Sequence, residues 1–353
     1  MTNNPKIAVV ILNYNGKHWL EKFLPVVIKH NTYPNSEIII ADNASTDDSV
    51  QYLRTQFPQL RLIQNPENNG YAGGYNEALR QIEADYYVML NSDVEVTPNW
   101  IEYIIAYMES DKLIAAAQPK ILSYTERTKF EYAGAAGGFL DKYGYPFCRG
   151  RIFDTCEEDT GQYNSNSEIF WASGACLFIK ADLFHMAGGL DADFFAHMEE
   201  IDLCWRLKNL GYKIGYCAES VVYHVGGGTL DKSNPKKLFL NFRNNRVMIY
   251  KNSNILNIIN IEIVRDFLDL AAVIVSVIKG NLPEAKAVTR GVWHYFKSIG
   301  HILHGKRKEI NQQQKVHPGN PNKTGMYRGS IVFTYYIRKV KVFSKLSVSS
   351  FRT

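Results

Sequence analysis

The sequence predicts an α/β protein in which a mostly parallel sheet is flanked by helices. The first observation is a continuous apolar, β-branched run over residues 7–12 (IAVVIL), which is typical of a strand buried on both faces of a sheet. The second is that residues 18–30 then place apolar side chains at helical spacing. This order of strand and helix repeats along the chain, which indicates βαβ units and a sheet covered by helices.

The remaining elements follow in order from the same patterns. Strands are predicted over residues 38–41, 60–64, 86–90, 170–179, 213–217 and 221–223. Helices are predicted over residues 48–57, 73–83, 181–187 and 198–210, and basic amphipathic helices over 236–250, 261–278 and 283–304. Residues 120–170 lack periodicity and are expected to be irregular, and the polar stretch 306–323 is expected to be a loop.

Length and composition set broad limits. The chain has 353 residues, of which 46% are apolar, enough for one large domain and an appendage. Its five cysteines are odd in number and never form a CxxC pair, which argues against a disulfide framework or a zinc knuckle and favours a reducing cytosol. The amino-terminal residues predict a strand and not a secretion signal. No stretch reaches the roughly 18 apolar residues that a membrane-spanning helix needs.

Charge is distributed unevenly along the chain. Residues 1–230 hold 18 Lys+Arg and 29 Asp+Glu, a net charge of −11, whereas residues 231–353 hold 22 and 6, a net charge of +16. We therefore predict a catalytic domain over 1–230 and a basic, amphipathic helical extension over 231–353. A basic region with apolar segments suits either an anionic membrane surface or nucleic acid. Because this region has no recognisable nucleic-acid-binding module, a membrane surface is the expected partner.

Polar side chains follow three of the predicted strands at their carboxyl ends. Asn13 and Tyr14 follow the first strand, Asp42 follows the second, and residues 91–95 (NSDVE) follow the strand at 86–90. In parallel sheets, ligands bind at this edge. Carboxylates there indicate a cation, a ligand or open solvent, because a buried carboxylate needs a partner.

Eight stretches, taken in chain order, resemble the motifs of family 2 glycosyltransferases of the GT-A fold, most closely those of the rhamnosyltransferase-like members. They are VVILNYNG, ADNASTDDS, NNGYAGGYN, LNSDVEV, ASGACLFIKADLF, GGLDADFF, MEEIDLCWR and VVYHVGGG, and they span about residues 7–228. The resemblance implies a GT-A, Rossmann-like sheet and transfer of a sugar from a nucleoside diphosphate sugar. NNGYAGGYN does not match GxGxxG, so no dinucleotide fingerprint is predicted.

The resemblance implies a metal site in LNSDVEV, where Asp93 would bind Mg²⁺ or Mn²⁺ together with the diphosphate of the sugar nucleotide. Hard cations prefer such oxygen ligands. Glu95 occupies a second acidic position that varies in the family, and His224 matches a histidine that completes the metal shell in some members. The structural alternatives are a solvated turn capped by Asp93 and a structural role for His224.

The same resemblance assigns a nucleotide pocket. Asp42 would accept a hydrogen bond from the N3–H group of uracil or thymine, and its structural alternative is a helix N-cap. Glycines that open a helix let backbone N–H groups approach a phosphate or a base, although a purely structural turn explains NNGYAGGYN nearly as well. The predicted nucleotide-binding residues are Asn13, Tyr14, Asp42, Asn69, Gly70, Asn91 and Ser92.

The stretch MEEID holds three carboxylates at the start of a predicted helix. Without the resemblance, a solvated acidic helix start favoured by the helix dipole would explain it. In the family this motif is usually Glu-Asp-x-Asp and its second acid is the general base, so position assigns the base to Glu200. Glutamate replaces the common aspartate here, which leaves Glu199 as an alternative base. Asp202 and Arg206 are expected to form an i,i+4 ion pair that positions the motif.

These assignments predict an inverting, metal-dependent glycosyltransferase of cell-surface polysaccharide synthesis. The expected donor is a dTDP- or UDP-linked sugar, with rhamnose among the candidates, and the expected acceptor is a hydroxyl of a lipid-linked glycan. The expected location is the cytoplasm, peripheral on the inner face of the cell membrane. One alternative is a nucleotidyltransferase, which would need a glycine- and basic-rich phosphate loop where the chain has NYNGKHW. The other is a non-catalytic scaffold whose basic region binds membrane or nucleic acid.

Overall fold

The computed structural model describes residues 4–226 and 234–352. Within these ranges the strands are β1 Ile7–Asn13, β2 Ser36–Asp42, β3 Arg61–Gln64, β4 Tyr86–Asn91, β5 Val94–Val96, β6 Ile114–Ser123, β7 Gly138–Asp141, β8 Pro146–Cys148, β9 Arg151–Ile152, β10 Thr155–Cys156, β11 Ser167–Ile169, β12 Cys176–Lys180, β13 Lys213–His224 and β14 Met326–Tyr327. The helices are α1 Lys17–His30, α2 Ser49–Gln56, α3 Gly70–Leu79, α4 Trp100–Ser110, α5 Ala181–Met186, α6 Glu199–Asn209, α7 Pro235–Asn252, α8 Ile255–Ile278, α9 Leu282–Ser298, α10 His304–Val316 and α11 Ile331–Tyr336. Short 3₁₀ turns lie at Ala192–Phe194, Phe343–Lys345 and Val348–Ser350, and a π-helical turn at Ile299–Leu303 joins α9 to α10.

A central sheet organises the described residues. Its strand order is β11-β13-β6-β12-β4-β1-β2-β3, with β5 paired to β13. The strands β4, β1, β2 and β3 run parallel, while β12 is antiparallel to both β4 and β6. The predicted α/β fold with a Rossmann-like sheet is therefore confirmed, and its parallel part is the half built by the first strands.

Helices cover both faces of this sheet, which explains why the first strands are apolar throughout. Along β1, Val10 belongs to a core cluster shared with Tyr75 and Leu79 of α3, on one face. The neighbouring Val9 and Ile11 belong to a second cluster on the other face, which contains apolar residues of α1 and α4. Because side chains alternate across a strand, both sets must be apolar when both faces are covered.

The structure differs from the predicted elements in several places. Residues 120–170 are not irregular throughout, because β7–β10 lie there and form a second sheet with β14 in the order β10-β9-β8-β7-β14. The helix expected at 73–83 begins at Gly70 and ends at Leu79. The strand expected at 170–179 is confined to β12, and β5 and α4 were not predicted. The loop expected at 306–323 is wrong for its first part, because α10 is rich in Lys and Gln, which favour helix, and buries Ile310.

The carboxyl-terminal region packs closely on the sheet region. Strand β14 pairs with β7, and Ile331, Tyr335 and Leu346 belong to the core cluster that also contains residues of β4 and α6. The buried carboxylate of Asp141 accepts a hydrogen bond from the Ile331 backbone N–H group at 2.8 Å. The division at residues 230 and 231 stays a prediction, and the contacts across it are extensive. Among the described residues, no helix is long and apolar enough to cross a membrane.

Replacing Ile331 tests whether this carboxyl-terminal segment is part of the cooperative core. Ile331 is fully buried, so Ile331→Ala should lower the free energy of unfolding by about 2–5 kcal/mol through lost burial and the cavity left behind. Val348→Ala is the matched control, since Val348 is 83% exposed and its truncation should change stability by less than about 0.5 kcal/mol. Denaturant unfolding measures both values. Equal values for the two variants would show that the segment folds independently of the core.

Candidate active site

The ends of β1 and β2 form a buried polar pocket. The register of these parallel strands places Asn13 opposite Asp42. The Asn13 amide donates hydrogen bonds to Asp42 Oδ1 at 3.0 Å and to Ser45 Oγ at 3.1 Å, and the Ser45 backbone N–H group donates to Asp42 Oδ2 at 3.0 Å. Tyr14 is more exposed at the rim of this pocket. A carboxylate offers about four acceptor sites, so Asp42 retains capacity for a ligand donor.

The start of α3 contacts the segment that precedes α6. Gly70 has a φ of +69°, and a Cβ at this position would lie 2.3 Å from the Phe195 carbonyl oxygen, so only glycine suits the site. The Gly70 N–H group donates to Asn68 Oδ1 at 3.0 Å, and Asn69 donates to the exposed Glu67. The Gly70 N–H group is therefore already used inside the protein, and close packing accounts for the glycine.

Asp93, His224 and Glu131 form a buried row of charged groups. Asp93 Oδ1 lies 3.2 Å from His224 Nε2, and Glu131 Oε2 lies 3.1 Å from His224 Nδ1. Asn91 Nδ2 lies 3.4 Å from His224 Nε2, which places the end of β4 against the end of β13. Ser92 lies nearby, because a Cβ on Gly16 would contact both Asn13 and the Ser92 hydroxyl. The structure thus brings together the nucleotide and metal residues predicted at these strand ends.

The charges in this row stabilise one another. Burial opposes protonation of His224, yet the carboxylates of Asp93 and Glu131 raise its pKa to about 10. Burial alone would raise the pKa values of both carboxyl groups, but the charge and hydrogen bonds of His224 outweigh burial and lower them. Opposite charges in contact produce this pattern of shifts.

Glu95 has a different partner from the one predicted. Both of its carboxylate oxygens lie 2.8 Å from Arg127 Nη2, and the Arg127 guanidinium stacks over the Tyr223 ring. An ion pair thus occupies this carboxylate, so we omit Glu95 from the proposed metal ligands. Over residues 4–226 and 234–352, no three His, Cys, Asp or Glu side chains are grouped so as to hold a metal ion by themselves. Asp93 nonetheless supplies a carboxylate that suits a cation with other ligands from substrate phosphates, and His224 would supply an imidazole nitrogen once the cation displaces its proton.

Glu199 and Glu200 begin α6 after a strained turn. Three non-glycine residues before them, Phe195, His197 and Met198, have φ angles of 63°, 70° and 74°. Such conformations cost free energy and cluster at functional sites. The Oε2 atoms of Glu199 and Glu200 are buried and have no hydrogen-bond partner among the described residues. An unpaired buried carboxyl is costly when ionised, which marks this pair as a candidate for chemistry.

The environments of the two glutamates differ. Glu199 is only 4% exposed, and burial together with the charge of Glu200 raises its pKa well above the ordinary value. Glu200 is less buried, and burial raises its pKa to about 7. Proton transfer is most efficient when the pKa of the base lies near the working pH. Glu200 therefore suits a general base better than Glu199 does.

Tyr71 connects the glutamate pair to the strand ends. Its hydroxyl donates to the Gly174 carbonyl at 2.7 Å, and burial followed by neighbouring charges, including those of Glu199 and Glu200, raises its pKa. The next residue, Ala175, accepts a hydrogen bond from the Asn91 N–H group at 3.0 Å. The acids of α6 and the polar end of β4 therefore lie at the same edge of the sheet.

Asp202 is the centre of a buried ion-pair network behind the glutamates. Arg206 Nε donates to its Oδ2 at 2.9 Å, in agreement with the expected i,i+4 pair. Two partners come from α7: Lys251 Nζ at 2.8 Å and Asn252 Nδ2 at 2.8 Å. The same helix reaches the strained turn, because Asn244 Nδ2 lies 2.9 Å from the Phe194 carbonyl and 2.8 Å from the His197 carbonyl. The orientation of α6 therefore depends on α7.

Sequence reasoning missed several of these residues. Glu131 lies in the stretch without periodicity, and its partner His224 is far away in the sequence, so no local pattern marks it. Asn244 lies on α7, which the sequence marks only as a basic amphipathic helix, and Lys251 lies one residue beyond the predicted end of that helix. Tyr71 was visible only as part of the glycine-rich stretch, although a tyrosine among glycines at a helix start could have suggested a packing or site role.

The fold of the described residues is of the GT-A type found in glycosyltransferases. Among solved structures, GalNAc-T7 with UDP, GalNAc and Mn²⁺ aligns over 71% of this chain and 48% of that chain, at 16% identity with a TM-score of 0.55. The mannosyltransferase PcManGT of Pyrobaculum calidifontis, in complex with GDP-Man and Mn²⁺, aligns over 88% of this chain and 86% of that chain, at 15% identity with a TM-score of 0.51. At such identities these matches concern the fold.

The sequence comparisons define the family. Residues 8–181 match the model of glycosyl transferase family 2, and this region is a domain of that family. The N-acetylglucosaminyl-diphospho-decaprenol L-rhamnosyltransferase of Mycobacterium tuberculosis (strain ATCC 25618 / H37Rv) is 26% identical over 233 residues, 62% of this chain and 75% of that protein. The predicted enzyme class is thus confirmed, and a role in glycan synthesis with it. The nucleotidyltransferase and scaffold alternatives receive no support.

Substituting Asp202 tests the importance of the network between α6 and α7. Asp202→Asn should lower the free energy of unfolding by about 3–5 kcal/mol, because it leaves the buried cations Arg206 and Lys251 without a full counter-charge. Asp48→Asn is the control, since Asp48 forms an exposed pair with Lys17 that should contribute at most about 1 kcal/mol. Chemical denaturation compares the two. A similar small loss in both variants would mean that the buried network does not hold α6.

Proposed function

We propose that this protein transfers a sugar, with inversion at the anomeric carbon, from a nucleoside diphosphate sugar to a hydroxyl of a glycan acceptor in cell-surface polysaccharide synthesis. One observation carries the proposal. Glu200 has a carboxylate oxygen, Oε2, without a hydrogen-bond partner among the described residues, burial raises its pKa to about 7, and it lies at the sheet edge that also holds Asp42 and Asp93. A base beside a nucleotide pocket is what a single displacement at a sugar carbon requires.

The proposed donor is a dTDP- or UDP-linked sugar. Thymine and uracil both present an N3–H donor, and Asp42 is a buried carboxylate held by Asn13 and Ser45 with acceptor capacity to spare. Rhamnose is the candidate sugar, because the Mycobacterium tuberculosis relative is named as an L-rhamnosyltransferase. The name of that relative also includes a diphospho-decaprenol, which supports a lipid-linked glycan as acceptor here and work at the cytoplasmic face of the cell membrane.

We assign Asp93 as a protein ligand of a divalent cation, Mg²⁺ or Mn²⁺, and His224 as a second ligand that must lose its proton when the cation binds. Their carboxylate and imidazole face each other at 3.2 Å beside Asn91 and Ser92. When bound, the cation would neutralise charge on the departing diphosphate. The Mn²⁺ in the structures of GalNAc-T7 and PcManGT supports a divalent cation in this fold.

The chain's own residues supply the other half of the displacement. The Glu200 carboxylate accepts the proton of the acceptor hydroxyl while that oxygen forms its bond to the anomeric carbon. The bond from this carbon to the diphosphate oxygen breaks on the opposite face, so the configuration inverts and the nucleoside diphosphate leaves with the electron pair. Glu199 is more deeply buried than Glu200 and holds its proton more strongly. When Glu199 is ionised, it places a second negative charge beside Glu200. Asp202, Arg206 and Lys251 orient the helix that carries both acids.

Nucleotide binding tests the site at Asp93. Calorimetric titration with dTDP, UDP and GDP, each with and without Mn²⁺, should show one or two pyrimidine nucleotides that bind only with the metal. Asp93→Asn should weaken this binding at least about 10-fold, which corresponds to about 1.4 kcal/mol. Glu95→Gln is the matched control, because Arg127 already occupies that carboxylate, and it should bind like the wild type. Equal losses in both variants, or metal-independent binding, would contradict the assignment.

The pH dependence of transfer tests the base. Because an ionised Glu200 is required, kcat/KM should rise as the pH increases through about 7. Glu200→Gln should lower kcat by about 10²–10⁴-fold and abolish this rise, whereas Glu199→Gln should retain activity within about 10-fold. Release of nucleoside diphosphate from the donor reports the rate. The reverse ranking of the two variants would assign the base to Glu199.

The same carboxyl should reduce stability at high pH. Its pKa is higher in the folded protein than the ordinary 4.5, so its contribution to stability is present at pH 4 and is lost as the pH rises through about 7. Glu200→Gln should therefore raise Tm relative to wild type at pH 8 and change it little at pH 4. Thermal unfolding at both pH values measures the difference. An equal change in Tm at both pH values would show that burial does not raise the pKa of the Glu200 carboxyl.

A further inference from the structure

Helix α8 is amphipathic in the opposite sense from a helix on the surface of a globular protein. Its buried residues, among the side chains described, are Ile258, Arg265, Asp269 and Ser276, of which three are polar. Its large exposed residues are apolar: Ile255, Leu256, Ile259, Ile263, Phe267, Leu270, Ile274, Val275, Val277 and Ile278. A surface helix normally turns its apolar stripe to the core and its charges to water.

Three charged residues of α8, Glu262, Arg265 and Asp269, face inward because they have partners there, whereas the Asp266 side chain is 53% exposed. Arg246 of α7 is fully buried and lies 2.6 Å from Glu262, 2.8 Å from Asp266 and 2.8 Å from Asp269. Tyr295 of α9 donates to Glu262 at 2.8 Å. These contacts give the three carboxylates of α8 one shared buried cation and fix which side of the helix faces outward.

The outward side is a continuous apolar face along the whole helix. Leu256, Phe267 and Ile278 are 77%, 71% and 79% exposed, and residues 256, 259, 263, 267, 270, 274 and 278 recur every three or four positions. A helix of 24 residues is about 36 Å long, so this face is much larger than the area of a single exposed apolar side chain. Such a face in a soluble protein marks an interaction site.

The neighbouring helix α9 indicates what the face contacts. Its exposed stripe holds Lys286, Arg290, Trp293 and Lys297, which are spaced by four, three and four residues and therefore share one side of the helix. Tryptophan and basic side chains are typical of the headgroup level of a bilayer, and basic residues bind anionic lipids.

We propose that the apolar face of α8 lies in the interfacial layer of an anionic lipid bilayer, with the basic stripe of α9 against the headgroups. A helix with one strongly apolar side and adjoining cations binds in this manner without spanning the membrane. This membrane contact rests on the proposed function only for its biological role, which would be to bring the candidate site to a lipid-linked acceptor.

Vesicle flotation of the full chain tests this surface. Wild type should float with phosphatidylcholine vesicles that contain 30% phosphatidylglycerol, and Ile263→Ser/Phe267→Ser/Leu270→Ser should reduce the bound fraction at least 10-fold. The matched control Leu113→Ser/Val316→Ser/Val348→Ser removes three exposed apolar residues outside α8 and α9 and should float like the wild type. Because all six side chains are exposed, thermal unfolding should show both variants folded.

A second variant tests the role of charge. Lys286→Gln/Arg290→Gln/Lys297→Gln should lose the preference for anionic over purely zwitterionic vesicles. The proposal is overturned if wild type does not bind anionic vesicles, if the α8 variant floats as well as the wild type, or if light scattering shows that α8 substitutions only convert a dimer into a monomer.

Nucleotide titration of the same proteins separates this inference from the proposed function. Both the α8 and the α9 variants should bind nucleotide like the wild type, because no substituted residue lies at the sheet edge. Vesicle binding without nucleotide binding would support the membrane contact and contradict the enzyme site, and nucleotide binding without vesicle binding would do the opposite.

Discussion

The parallel register of β1 with its two neighbours is the constraint on which the site depends. It places Asn13 opposite Asp42 on one side and Leu12 opposite Asn91 on the other, so polar residues that are far apart in sequence converge at one edge. The strands can hold this register because both of their faces are apolar and covered by helices. A slip of one residue would exchange the two faces and separate the polar ends. The packing of the core therefore determines where the polar strand ends lie.

The buried acidic residues at this edge fall into two groups: those with cationic partners and those without. The carboxylates of Asp93 and Asp202 are buried with cationic partners, which lowers the pKa of Asp93 and holds the α6 helix through Asp202. Glu199 and Glu200 are buried without such partners, and their pKa values rise. Paired acids stay ionised and position other groups, whereas an unpaired acid near pH 7 can exchange a proton. The free energy lost on burying the pair is offset by the surrounding fold.

Local sequence patterns predicted those candidate site residues that directly follow a strand. Asp42 and Asp93 follow apolar strands directly, so their position at the sheet edge could be read from the sequence. Glu131 could not, because it reaches His224 from a stretch of short strands and turns with no periodic signal. The sequence also did not show which side of α8 faces the protein interior. Apolar residues lie on nearly all sides of this helix, and its orientation depends on the contact between its acidic residues and Arg246 of α7.

Helix α7 contacts both the segment that carries Glu200 and the acidic residues of α8. Asn244 and Lys251 hold the turn and the helix that carry Glu200, and Arg246, between them in sequence, holds the acids of α8. These three side chains lie within about two helical turns of one another. The carboxyl-terminal helices thus support the segment that carries Glu200, the proposed base, and removing them would remove this support together with the apolar face of α8.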